Sequence, residues 1–420
     1  MNPDPPKINA LAVYLQDRRI GILNRLAGDR HLFAFEQDYV DDQRRPTLSL
    51  CYKSRTGGLV TSVRAVGRRL PPFFSNLLPE GHLRTYLARK AGVKPEREFS
   101  LMAVLGADLA GAVTVKPLDG DQSDLGDGEH RDLDRKQPGV LRFSLAGVQL
   151  KFSAVVEASG GLTIPAHGVG GSWIVKLFSA QFPAVAENEY VMLELARAVG
   201  IQVPAIRLVP IADIQGLPPE AARMAGQALA VERFDRAAGG RRIHMEDFAQ
   251  VFGLFPDDKY GARSYANIAA VLWAETGAAG TYEFVRRLVF SVLIGNGDMH
   301  LKNWSLLYPD GRTPVLSPAY DFVATLPYLP GDNLALSFGG SSSLGGIALD
   351  QVRRFTDTAR LPMKPVWEIV CETMERTSDA WKTLPHKDLI PAATLNIVNE
   401  QIRKAIAASH RLAAGGSAPR

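Results

Sequence analysis

Cysteine is scarce in this chain of 420 residues, which contains only Cys51 and Cys371. Two cysteines so far apart cannot build a disulfide framework, and neither belongs to a C-x-x-C pair of the kind that binds zinc. Such sparing use of cysteine is typical of a reducing compartment, and we therefore expect a cytoplasmic protein.

Long apolar runs are absent as well. The most apolar stretch, FVRRLVFSVLIG at residues 284–295, contains two arginines and is too short to cross a bilayer. The first ten residues, MNPDPPKINA, lack the apolar core of a signal peptide. The sequence therefore predicts neither a membrane span nor an export signal.

A strong excess of charge is also missing. The chain has 48 lysines and arginines against 44 acidic residues, a net charge of +4, and 46% of its residues are hydrophobic. The arginines form short clusters, such as Arg68–Arg69 and Arg241–Arg242, rather than one basic stripe. This pattern permits contact with nucleic acid but favours an ordinary solvated surface.

Four segments of different character follow one another along the chain. Residues 1–116 combine short strands with helices, and residues 117–139 form an acidic linker without periodicity. Residues 140–235 are rich in strands, whereas helical periodicity dominates residues 236–420. A strand-rich segment followed by a helical one predicts an α+β fold with two lobes and a cleft between them, in which the C-terminal lobe is all-α.

Individual elements can be placed within these segments. ALAVYLQ (10–16) and TLSLCY (47–52) alternate like strands, SWIVKLF (172–178) is a further strand, and residues 185–200 form a helix that ends at Gly200. In the last segment the apolar periodicity predicts helices over residues 246–252, 264–277, 281–294, 349–360, 364–383 and 390–412.

A polar cluster, IGNGDMHLKN at residues 294–303, directly follows a helix with one buried face. Gly295 can end that helix in a left-handed conformation. Asp298 is therefore expected to lie just beyond a helix end that is held rigidly by the core. A metal site is one interpretation, but the chain has eight histidines and no H-E-x-x-H pattern. A phosphotransfer loop is the other.

The phosphotransfer interpretation requires an Asp that accepts the substrate proton and an Asn after four intervening residues that holds a metal ion. Asp298 and Asn303 have this spacing, and Asp321 in SPAYDFVAT, a strand-like apolar run, supplies the second metal ligand. Lys302, inside the loop, could neutralise the transferring phosphoryl group.

The upstream segment contains what the other half of such a site needs. A small-residue loop with Ala146, Gly147 and, close behind, Lys151 could cover phosphates. Lys176 lies inside an apolar strand and requires an anionic partner, for which Glu189 on the next helix is the best placed. The strand ALAVERFDR would end in a hinge that offers Glu232 and Phe234 to an adenine ring.

These blocks, in this order, resemble the HipA family of serine/threonine protein kinase toxins from type II toxin–antitoxin modules. They read SLAGVQLKF, IVKLF, AENEY, LAVERFDR, LIGNGDMHLKNWSLL and LSPAYDFVAT, and FFSNLLPEG near the N-terminus resembles the family's own N-terminal subdomain. The likeness spans about residues 10–400. It implies a two-lobed, protein-kinase-like fold and an enzyme that uses ATP and Mg²⁺.

The resemblance also implies roles and partners. Asp298 would be the catalytic base, Asn303 and Asp321 the metal ligands, Lys176 a ligand of the nucleotide phosphates, and Ser144 a site of inactivating autophosphorylation. The partners would be a HipB-like helix-turn-helix antitoxin, operator DNA mainly through that antitoxin, and an aminoacyl-tRNA synthetase such as glutamyl-tRNA synthetase as the substrate. Phosphorylation of that substrate would cause growth arrest and persistence.

Two other functions remain open on the residues alone. A small-molecule or lipid phosphotransferase would share the D-x-x-x-x-N loop and the cleft. A catalytically silent co-repressor would keep the fold and act only together with a DNA-binding antitoxin.

Overall fold

The computed structural model describes residues 8–118, 151–156, 161–164, 171–177 and 182–414. These residues form three sheets and eleven α-helices. In chain order the helices are α1 (Gln37–Asp41), α2 (Pro72–Ser75), α3 (Gly81–Lys90), α4 (Glu98–Leu105), α5 (Val185–Val199), α6 (Pro219–Ala222), α7 (Phe248–Val251), α8 (Tyr265–Ile294), α9 (Leu349–Ala359), α10 (Met363–Thr383) and α11 (Ala392–Ala414).

The N-terminal domain is a five-stranded antiparallel sheet with short helices against it. The strands have the order β4-β3-β2-β1-β5. Their bounds are β1 (Ala10–Leu15), β2 (Arg18–Leu26), β3 (Arg30–Phe35), β4 (Val66–Gly67) and β5 (Val113–Pro117). TLSLCY is not a strand, because Leu50–Tyr52 forms a 3-10 turn whose Leu50 N–H donates to Glu246 of the C-terminal lobe at 3.0 Å.

The second sheet has six strands in the order β10-β7-β6-β8-β11-β9. Their bounds are β6 (Lys151–Val156), β7 (Leu162–Thr163), β8 (Trp173–Lys176), β9 (Ile206–Pro210), β10 (Ile214–Gln215) and β11 (Gln227–Glu232). Successive side chains of a strand point to opposite faces. Accordingly, Ala228 and Ala230 of β11 join the hydrophobic core of the N-terminal domain, whereas Leu229 and Val231 join the core of α5 and the C-terminal lobe.

The C-terminal lobe is built around α8, which packs against α9, α10 and α11. The helices expected here are present, although the one predicted over 246–252 is only the short α7. Those predicted over 264–277 and 281–294 are the two parts of α8, which is kinked at Gly277. The lobe also contains a three-stranded antiparallel sheet of β12 (His244–Asp247), β13 (Ser305–Tyr308) and β14 (Val315–Leu316). This sheet corrects the expectation of an all-α lobe, since the strands are too short to show a clear alternating pattern.

The α+β fold with two lobes and an extra N-terminal domain is thus confirmed. The predicted linker over 117–139 lies, except for its first two residues, outside the described part of the chain. Within the described residues, every helix is too short or too polar to cross a membrane.

Candidate active site

A cavity of about 730 Å³ lies between the six-stranded sheet and the C-terminal lobe. Eight of the predicted site residues line it, namely Lys151, Lys176, Glu232, Phe234, Asp298, Lys302, Asn303 and Asp321. Asn76, Leu77 and Glu80 line it as well, so the FFSNLLPEG segment of the N-terminal domain forms part of the same cavity. Ser144, Ala146 and Gly147 lie outside the described residues.

Two lysines from neighbouring strands converge on one carboxylate. Lys151 of β6 and Lys176 of β8 are direct cross-strand partners, so their side chains lie on the same face of the sheet. The Lys176 ammonium donates to Asp321 and to Glu189, which confirms the expected strand–helix ion pair. The Lys151 ammonium lies 3.5 Å from the other Asp321 oxygen.

The charges of this cluster depend on one another. Burial lowers the pKa of Lys151, because Asp321 compensates only part of its lost hydration. For Lys176 burial acts in the same direction, but Asp321 and Glu189 outweigh it and raise the pKa above its ordinary value. Burial would raise the pKa of Asp321, yet the two ammonium groups hold it well below the usual range. The Asp321 carboxyl is therefore ionised at neutral pH despite its burial.

Asp321 does not lie in a strand. Residues 317–325 have no regular secondary structure, and Asp321 itself has a φ of 55°, a left-handed conformation that no strand residue adopts. The amide of Asn188 on α5 holds the segment by donating to the Ala324 carbonyl and accepting from the Ala324 N–H, both at 3.0 Å. Strained backbone held by its surroundings is common at functional sites.

The predicted catalytic loop follows α8 as expected. Gly295 ends the helix with a φ of 71°, and the Leu301–Asn303 segment forms a 3-10 turn. The Asn303 amide nitrogen donates to the Asp298 main-chain carbonyl at 2.8 Å, which brings the two ends of the D-x-x-x-x-N motif together. The Asp298 side chain is exposed in the cleft, where partial loss of water raises the pKa of its carboxyl.

Gly297 is required by the packing of this loop. A Cβ atom at this position would lie 2.6 Å from the Asn333 carbonyl oxygen and 2.2 Å from a carboxylate oxygen of Asp332. The loop is held there because the Gly297 N–H donates to the Thr325 hydroxyl, which donates in turn to Asp332. The segment after Asp321 thus packs directly on the loop that carries Asp298.

Tyr260 is a site residue that no sequence pattern indicated. Its hydroxyl donates to the Asp298 carboxylate at 2.7 Å. The neighbouring His300 ring is buried and lies edge-on to the Tyr260 ring, with 5.1 Å between the centroids. Burial lowers the pKa of His300 to about 3, so its ring is neutral.

Lys302 lines the cavity, but protein oxygens surround its ammonium. It donates to the carbonyl and the side-chain oxygen of Asn76, both at 3.0 Å. It also pairs with Glu80 at 3.0 Å and Asp247 at 3.6 Å. A contact with a phosphoryl group would require this buried ammonium to leave those partners, so its expected catalytic role stays a prediction.

The predicted hinge is attached to the N-terminal domain. Glu232 is exposed at the end of β11, and the half-buried ring of Phe234 lies 5.6 Å from the Tyr320 ring. Directly beyond, Arg236 bridges Asp235 and the fully buried Asp108 of the N-terminal domain, with 2.8 Å to each carboxylate. The sequence predicted a hinge but not this buried network, since Asp108 is remote along the chain.

The donor set of the cleft fits a magnesium ion. Asp321 offers two carboxylate oxygens, one bound by Lys176 and the other 3.5 Å from the Lys151 ammonium, and the amide oxygen of Asn303 accepts no hydrogen bond from the described residues. Magnesium prefers oxygen ligands and usually keeps water and substrate phosphates in its shell, so one carboxylate and one amide are enough. Among the described residues no group of three His, Cys, Asp or Glu side chains could form a dedicated metal cage.

Comparisons with known proteins agree with this geometry. Residues 143–381 match the family model of the HipA-like C-terminal domain, and residues 11–116 match that of the HipA N-terminal domain. A "Putative kinase Y4dM" of Sinorhizobium fredii is 51% identical over 380 residues, which cover 90% of this chain and 92% of that protein.

More distant relatives extend the comparison. The "Serine/threonine-protein kinase toxin HipA" of Shewanella oneidensis is 25% identical over 394 residues, covering 85% of this chain and 84% of that protein. The solved complex of HipA, HipB and operator DNA from Shewanella oneidensis MR-1 contains a chain with the same fold. It superposes with a TM-score of 0.69 at 23% identity and covers 93% of this chain and 95% of that chain.

Proposed function

The chain belongs to the HipA family, and we propose that it is an ATP- and Mg²⁺-dependent serine/threonine protein kinase that acts as the toxin of a type II toxin–antitoxin module. The observation that carries the proposal is the meeting of two half-sites in one cleft. The sheet contributes Lys176, paired with Glu189, and the C-terminal lobe contributes Asp298 and Asp321.

The two lysines of the sheet would hold the nucleotide phosphates. Lys151 and Lys176 present ammonium groups side by side, an arrangement that suits the adjacent negative charges of a triphosphate. Glu232 and Phe234 line the same cavity at the hinge, where main-chain groups and a ring would contact the adenine. Ala146 and Gly147, by family resemblance, complete the phosphate-binding loop.

Asp321 and Asn303 would bind the metal ion through a carboxylate and an amide oxygen. A bound Mg²⁺ supplies charge neutralisation at the phosphate oxygens. Asp321 is prepared for this role because its carboxyl stays ionised beside the two lysines. The left-handed backbone at Asp321 directs the following residues onto the catalytic loop, which keeps Asp321 and Asn303 in one cleft.

Asp298 would accept the proton of the substrate hydroxyl. Of its two carboxylate oxygens, Oδ1 is bound by Tyr260, and Oδ2 accepts no hydrogen bond from the described residues. Its exposure in the cleft allows a Ser or Thr side chain of another protein to reach that oxygen.

The partners follow from family membership. We propose a HipB-like helix-turn-helix antitoxin, with operator DNA contacted mainly through that antitoxin, in the cytoplasm. The support is the solved complex, in which a chain of this fold is assembled with HipB and operator DNA. The substrate would be a translation component such as an aminoacyl-tRNA synthetase, and phosphorylation of Ser144 would inactivate the kinase.

Phosphate transfer tests the proposal directly. Purified protein with radiolabelled ATP and Mg²⁺ should become labelled on Ser144, and Asp298→Ala should abolish the label. Asp350→Ala, which removes an exposed carboxylate from α9, is the control and should behave like the wild type. Growth arrest on expression should likewise require Asp298.

Two results would contradict the proposal. ATP turnover that depends on a metabolite, with no protein labelled, would identify a small-molecule phosphotransferase. An antitoxin complex that represses its operator without any phosphate transfer would identify a co-repressor.

A further inference from the structure

The hydroxyl of Tyr260 lies 2.7 Å from Oδ1 of Asp298, although the two residues are 38 positions apart along the chain. Tyr260 is 49% exposed, so the hydrogen bond is not a by-product of core packing. A phenol on this oxygen limits rotation of the carboxylate about its χ2 torsion, which is otherwise broad for Asp. The second oxygen is then held in one direction within the cleft.

The ring of Tyr260 is fixed from two sides. His300 lies edge-on to it, and the Lys259 ammonium lies 5.5 Å from its centroid. The main chain is attached to the catalytic loop, because the Leu301 N–H donates to the Lys259 carbonyl at 3.3 Å. The phenol therefore approaches Asp298 from a segment that is hydrogen-bonded to the loop.

The N-terminal domain anchors this segment. Glu80 pairs with Lys259 at 2.7 Å and with Lys302 at 3.0 Å. One carboxylate of the N-terminal domain thus holds the lysine next to Tyr260 and a lysine inside the catalytic loop. Glu80 is part of FFSNLLPEG, a segment whose sequence suggested only a family likeness.

We propose that Tyr260 is a positioning residue for Asp298, which fixes one carboxylate oxygen so that the other faces the substrate hydroxyl, and that Glu80 anchors the segment carrying Tyr260 through Lys259. The inference rests on the proposed function, since it requires Asp298 to be the base. It assigns the N-terminal domain a part in phosphate transfer besides its place in the fold.

Tyr260→Phe tests the first half, because it keeps the ring contacts with His300 and Lys259 and removes only the hydroxyl. We expect kcat for phosphate transfer to fall about tenfold while the KM for ATP is unchanged. In single-turnover measurements on an Asp298→Asn background, Tyr260→Phe should cause no further loss, because its effect acts through the carboxylate. Tyr282→Phe, a change on α8 away from the cleft, is the matched control and should leave kcat unchanged.

Lys259→Met tests the second half, because it frees the segment and leaves the Glu80–Lys302 pair in place. It should lower kcat by a smaller factor than Tyr260→Phe and have no effect once Tyr260 is Phe. An equal loss from Tyr260→Phe in the wild-type and Asp298→Asn backgrounds would overturn the role of Tyr260. If Lys259→Met still lowers kcat when Tyr260 is already Phe, the proposed anchoring role of Glu80 would be overturned. A wild-type protein without any phosphate transfer would instead refute the proposed function itself.

Discussion

Lys176 and Asp321 form an ion pair that connects the two lobes across the cleft. The pair is buried on its Lys176 side and continues to Glu189 on α5. It therefore couples the geometry of the sheet to that of the segment that packs on the loop carrying Asp298.

Lys176→Met and Lys151→Met should differ in stability although both should weaken ATP binding. Removing Lys176 leaves the buried Glu189 without its ion-pair partner and takes from Asp321 one of its two ammonium groups, which costs about 3 kcal/mol of unfolding free energy. Removing Lys151, whose pKa burial already lowers, should change that free energy by no more than about 1 kcal/mol. Urea unfolding measures both, and equal losses would contradict the asymmetry of the cluster.

Lys302→Met distinguishes a structural role of Lys302 from a role in neutralising the transferring phosphoryl group. If its ammonium mainly joins Asn76, Glu80 and Asp247, the variant should lose about 3 kcal/mol of stability because it leaves buried carboxylates with fewer cations. Chemical unfolding and kcat should be measured on the same preparation. A loss of kcat of a hundredfold or more, roughly what a transition-state contact supplies, at unchanged stability would favour the phosphoryl role.

Gly297→Ala should reduce activity more than stability. The added Cβ must displace the Asn333 carbonyl or the Gly297 main chain, and either shift moves Asp298. A displacement of about 1 Å near reacting groups costs up to about a hundredfold in rate. Gly67→Ala is the control, since a Cβ there meets no atom within 4 Å. Steady-state kinetics and thermal unfolding would show whether the two losses separate as expected.

Because of Glu246, the stability of the protein should fall as the pH rises from 4.5 to 7. This buried carboxyl accepts hydrogen bonds from Ser49, Tyr308 and the Leu50 N–H, yet burial raises its pKa from the ordinary 4.5 to about 7. Within that window the unfolded chain releases the proton that the folded protein retains, so rising pH favours unfolding by a total of about 3 kcal/mol. Above the folded pKa the contribution is constant.

Glu246→Gln is the test of this pH dependence. The amide can accept from Tyr308 and Leu50 and donate to Ser49, so the hydrogen bonds survive without a titrating group. The stability of the variant relative to the wild type, measured as the difference in unfolding free energy, should therefore be greater at pH 8 than at pH 5. A difference between the two proteins that is constant over this range would show that Glu246 keeps an ordinary pKa.

Much of the site could be predicted because its parts depend on local sequence. The D-x-x-x-x-N spacing, Lys176 in an apolar strand and Glu189 on the buried face of α5 follow from the periods of strands and helices. The expectation failed at TLSLCY, whose alternating pattern was overridden by contacts with Glu246, and at the strand assigned to Asp321. In both cases partners from a remote segment decided the backbone conformation.

The sequence by itself determined the order of the two half-sites, the helix that carries the Asp298 loop, and the charges available to the cleft. These depend on residue type and on spacing over one or two turns, which the chain carries locally. Only the tertiary structure decided that Tyr260 binds Asp298 and that Glu80 holds Lys259 and Lys302. Those contacts join segments 38 and more than 170 residues apart along the chain, and no local pattern encodes them because they exist only once two domains have packed together.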